Sequence, residues 1–63
     1  MDTQPITEIG DHHIAIAKPI DRRLWAVTVY EKHGRKVVRE ERTPAPKYYT
    51  KMLLMQVESA YAN

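Results

Sequence analysis

Cysteine is absent from the 63 residues of this chain. That excludes disulfides, thiolate zinc sites, thiol catalysis and iron–sulfur clusters together, and it suits a reducing compartment. Glycine occurs only twice, so no glycine-rich loop can cradle a phosphate. The single serine, Ser59, has no Gly-x-Ser-x-Gly around it, which leaves nucleophilic catalysis without an anchor. The longest strongly apolar stretch is Met52-Leu53-Leu54-Met55, far below the ~20 residues of a membrane span. Met1-Asp2-Thr3-Gln4-Pro5 lacks the basic and apolar regions of a signal peptide. These absences predict a soluble, cytoplasmic protein without cofactor or membrane attachment. Net charge is also small, ten Lys and Arg against eight Asp and Glu for a net +2. Dedicated nucleic-acid binders carry a clearer basic excess, because phosphate contacts supply much of their affinity.

What is present reads as one small α+β domain over residues 1–63. The expected layout is a three- or four-stranded antiparallel sheet within 4–42, a linker at 43–45 and a helix over 46–62. Gln4 to Ile9 alternates loosely and reads as a short edge strand, with Gly10-Asp11 as a hairpin turn. From His12 to Lys18, Ile14 and Ile16 share one face and Ala15 and Ala17 the other, until Pro19 closes the strand. Asp21-Arg22 reads as a turn. Leu24 to Glu31 is rich in β-branched and aromatic residues, His33-Gly34 forms a hairpin tip, and Arg35 to Arg42 returns. A two-residue loop pairs Val29 with Val38, Val27 with Glu40 and Trp25 with Arg42; a three-residue loop shifts the return strand by one. In the first register Trp25, Val27, Val29 and Val38 share a face, and Tyr30, Val37, Arg39 and Glu41 lie opposite.

Thr43-Pro44-Ala45-Pro46 ends the sheet, and Pro46 suits the first position of a helix. Steps of ~100° place Tyr49, Met52, Leu53, Gln56, Val57 and Ala60 on its core face. Leu54 and Tyr61 widen that arc on one side, Tyr48 and Met55 on the other, leaving more apolar surface than a small sheet buries. Lys47 and Lys51 lie near the positive end of the helix dipole and Glu58 near the negative end, each against preference.

No reading of the residues yields an active site. His12 and His13 are adjacent, so within a strand they point to opposite faces and cannot chelate one metal ion. The same geometry separates Glu40 from Glu41. What remains is binding surface: Tyr48, Leu54, Met55 and Tyr61 flanking the helix, and Tyr30, Arg35, Arg39 and Arg42 on the hairpin. The leading expectation is a non-enzymatic interaction protein that modulates or inhibits a host protein or protein–nucleic acid machine, of the size phages and mobile elements encode. A homodimer through the helix flank is a further expectation.

A Trp-bearing strand (Trp25), a Gly-tipped hairpin (Gly34), a basic return strand and a C-terminal helix resemble, over Leu24 to Ala62, the arm-binding domain of phage-type tyrosine integrases. That resemblance implies DNA reading by the sheet face. The Pro44-Ala45-Pro46 break and the three hairpin glutamates depart from its pattern.

Overall fold

The computed structural model describes residues 4–62. Four strands, β1 (Ile6–Ile9), β2 (His13–Pro19), β3 (Trp25–Glu31) and β4 (Val37–Thr43), precede one helix, α1 (Pro46–Ala62). The strands form an antiparallel meander in the order β1-β2-β3-β4. The helix packs on one face of it, chiefly over β2 with β1 and β3 to either side, and barely reaches β4.

The core takes one alternation from each central strand: Ala15 and Ala17 from β2, Val27 and Val29 from β3, capped by Leu53 and Leu54 of the helix. The two alanines keep β2 low, so the helix settles close to the sheet. Ile6, Trp25, Tyr49 and Val57 pack around this centre. Burying so little leaves the domain marginal, as its size dictates.

The β3–β4 hairpin differs from the expected pairing. Tyr30 pairs with Val37, but Val29 pairs with Arg39, Val27 with Glu41 and Trp25 with Thr43. Val38 is the extra residue of a β-bulge at that step. The register expected from a two-residue loop therefore holds beside the tip and is lost one residue later. Glu31 N–H donates to the Lys36 carbonyl, and the chain turns through Lys32-His33-Gly34-Arg35. The left-handed residues are Gly34 (φ 88°) and Arg35 (φ 57°), so His33 is spared that conformation. The bulge reverses the expected orientation of β4. Arg39, Glu41 and Thr43 share the helix side of the sheet with Val27 and Val29. Val38 leaves the core face and is exposed.

The helix is also rotated from its expected orientation, by somewhat less than one residue step of ~100°. Its buried residues are Thr50, Leu53 and Leu54. Leu54 is only 7% exposed and belongs to the core, which removes it from the partner-binding flank. Gln56 and Ala60 are exposed instead.

Candidate interaction surfaces

The β1–β2 turn shows what sets the helix rotation. Gly10 N–H donates to the His13 carbonyl across the two-residue loop Asp11-His12 (2.8 Å), so the turn lies one residue later than Gly10-Asp11. The Glu58 carboxylate enters the turn from α1. Its Oε2 accepts from the backbone N–H of His12 (2.7 Å) and of His13 (3.2 Å). Its Oε1 faces the Nδ1 atoms of His12 and His13 at 3.3 and 3.2 Å. Lys32 Nζ donates to the Gly10 carbonyl (3.1 Å). A Cβ at Gly10 would collide with the Glu58 carboxylate, so any larger residue there would have to displace that carboxylate. The His12 backbone hydrogen bond, aided by the other three contacts, pulls the Glu58 carboxyl down to about 2. A residue that by its charge reads as solvated is thus the clasp between helix and sheet.

His12 stands before β2 begins, so the two adjacent histidines need not diverge as strand neighbours would. Both reach one carboxylate oxygen, and with Glu31, His33 and Tyr61 they line a cleft of about 180 Å³. The Tyr61 ring lies 4.5 Å from His12, tilted, and 5.2 Å from His13, edge-on. Tyr61 is therefore engaged within the chain. Among the described residues no group of three or more His, Asp or Glu side chains is placed to hold a metal ion.

On β4, Arg39 forms an ion pair with Glu41 (Nη2–Oε2, 3.1 Å) and a second bond from Nε. The Tyr49 hydroxyl donates to Glu41 Oε1 (3.0 Å). The Tyr49 bond first, then Arg39, holds the Glu41 carboxyl below its ordinary range. Arg39 is thus on the helix side and occupied, away from the Tyr30 face where the sequence placed it.

The opposite, outer face of the sheet carries Thr7 and Ile9 of β1, Ile14 and Ile16 of β2, Thr28 and Tyr30 of β3, and Val37, Glu40 and Arg42 of β4. No described element covers it. Ile9 is 67% and Val37 50% exposed, and Ile14, Ile16 and Tyr30 are half-buried. A shallow groove of about 440 Å³ runs across it, lined by Ile9, Ile14, Ile16 and Tyr30 with Lys18 and Arg35 among its rim. Tyr30, Arg35 and Arg42 are therefore brought toward one surface, Arg42 by the bulge, since the expected register paired it with Trp25 on the other face. The three isoleucines were missed, although the Ile/Ala alternation of β2 held the signal: the smaller side chains face the helix.

The second uncovered surface is the helix side turned away from the sheet. Tyr48 (72% exposed) and Met55 (64%) dominate it, with Met52 half-buried between them. No helix among the described residues is long and apolar enough to cross a membrane. No protein-family model, curated protein or solved structure matches this chain.

Proposed function

We propose that this chain is a non-enzymatic interaction module that docks on a larger protein through the outer face of its sheet and modulates that partner. The observation that carries this reading is the uncovered apolar centre of Ile9, Ile14, Ile16, Tyr30 and Val37. A folded chain this small gains from hiding such a patch, and contiguous exposed apolar surface with a polar rim marks interaction sites. Lys18, Arg35 and Arg42 stand against Glu31 and Glu40 around it, a small basic excess. The partner surface is accordingly apolar at its centre and acidic at its edge.

Capture from lysate, with and without nuclease, tests this against a variant. The wild-type chain should retain a nuclease-resistant protein partner, and Ile16→Glu should lose it while its circular dichroism and melting stay unchanged. DNA binding through the same face, as the integrase-like layout implies, is the outcome that replaces this reading. It would appear as duplex affinity falling steeply with salt and abolished by Arg35→Ala with Arg42→Ala. Arg39, turned to the helix side and paired with Glu41, is not part of that face.

A further inference from the structure

We propose that α1 pairs antiparallel with α1 of a second copy through Tyr48, Met52, Met55 and Ser59. These positions are spaced 4-3-4 and project directly away from the core residues Thr50, Leu53 and Leu54. The stripe has the spacing of a helix-pair seam, no described element is seated on it, and it is independent of the sheet face.

Two features select a second copy, and select the antiparallel direction. The first is charge. The helix has no acidic residue in its first turn and no basic residue in its last. Its N-terminal half carries Lys47 and Lys51, which oppose the positive end of its own dipole. An antiparallel neighbour brings its C-terminal carbonyl end to these lysines and receives the same in return. Each copy thus supplies the cation that the other's helix end lacks. A parallel pair would instead set lysine against lysine.

The second feature is shape. Centring the antiparallel pair between Met52 and Met55 sets Met52 against Met55 of the second copy and Tyr48 against its Ser59. The large exposed Tyr48 ring then lies over the open, nearly flat surface formed by Met52, Met55, Gln56, Ser59 and Ala60. Two-fold symmetry makes this contact twice, large residue over small at each end and flexible thioethers between. Lys51 falls opposite the neutral Gln56, and Lys47 opposite Ala60 near the free carbonyls.

The contact is a strip about 25 Å by 10 Å, well short of the ~800 Å² per partner of a stable complex. The dimer is therefore weak and reversible. It stacks the two molecules as sheet, helix, helix, sheet, with both outer sheet faces free.

Sedimentation of the full chain over a concentration series is the first experiment. Mass rising toward that of a dimer below about 1 mM is expected, and a strict monomer to that limit overturns the proposal. Met55→Glu should abolish association with unchanged melting. Lys47→Glu separates the proposal from a structural role of the stripe: it improves the charge at its own helix N-terminus, yet should weaken dimerisation about fivefold. Direction is read from the cysteine-free background. Chains carrying Tyr48→Cys mixed with chains carrying Ser59→Cys should give a mixed disulfide on mild oxidation. Tyr48→Cys cross-linking efficiently to itself would mean parallel helices and overturn the proposal. A dimer that survives Met55→Glu but not Ile16→Glu would place the contact on the sheet and overturn it as well.

Discussion

Thr50 is fully buried in the contact between α1 and the sheet, and its hydroxyl has no hydrogen-bond partner. Stranding a hydroxyl in an apolar interior costs about 1–3 kcal/mol in mutational data, and valine has the same shape and nearly the same helix propensity. Thr50→Val should therefore raise stability by about 1 kcal/mol, or about 4–8 °C in melting temperature for a domain of this size. Calorimetry reads this directly; an unchanged or lower midpoint would mean the hydroxyl is satisfied. Glu58 makes a second prediction. Its carboxyl is held at about 2 in the folded chain against an ordinary 4.5. Its contribution is complete above about pH 4.5 and is lost as the pH falls toward 2. Acid titration of stability should show that loss in the wild type and a smaller one in Glu58→Gln, with His12 and His13 facing the same site in both.

The elements depend on such clasps for their relative placement. Gly10→Ala pushes a methyl group into the space of the Glu58 carboxylate, so it should destabilise the domain by displacing the same contact that Glu58→Gln removes. The two changes should be strongly non-additive in urea melts. Full additivity would mean the turn and the helix end do not communicate. The β4 bulge allows a sharper test. Because Val38 alone lacks a partner between the Tyr30–Val37 and Val29–Arg39 pairs, deleting it should leave every other pair in place. Cross-strand nuclear Overhauser contacts between Val29 and Arg39 in the deletion variant check this.

On the scale of the whole molecule, the core is thin. Leu53 is its largest fully buried side chain, and Leu→Ala at such a site costs about 2–5 kcal/mol. A lone core of this size supplies no more than ~3–5 kcal/mol. Leu53→Ala should leave the monomer largely unfolded at low concentration. If the chain dimerises as proposed, part of the fold should return as concentration rises; circular dichroism at two concentrations separates the cases.

The α+β layout, an antiparallel sheet of three or four strands, the single helix and its Pro46 start were legible in the sequence, because they follow from local causes. Alternation of Ile and Ala, the Val-rich run of β3, two turn-forming glycines and proline at a helix start all act within a few residues. The facing of β4, the rotation of α1 and the role of Glu58 were decided only in three dimensions. One bulged residue at Val38 turned Arg39 from the outer face to the helix side, since side chains alternate with period two. Forty-six residues separate Glu58 from the His12 N–H it accepts, and no pattern along a chain records such a contact. What local patterning can specify was thus written in the residues; where the chain offers its apolar surface depended on how helix and sheet closed on each other.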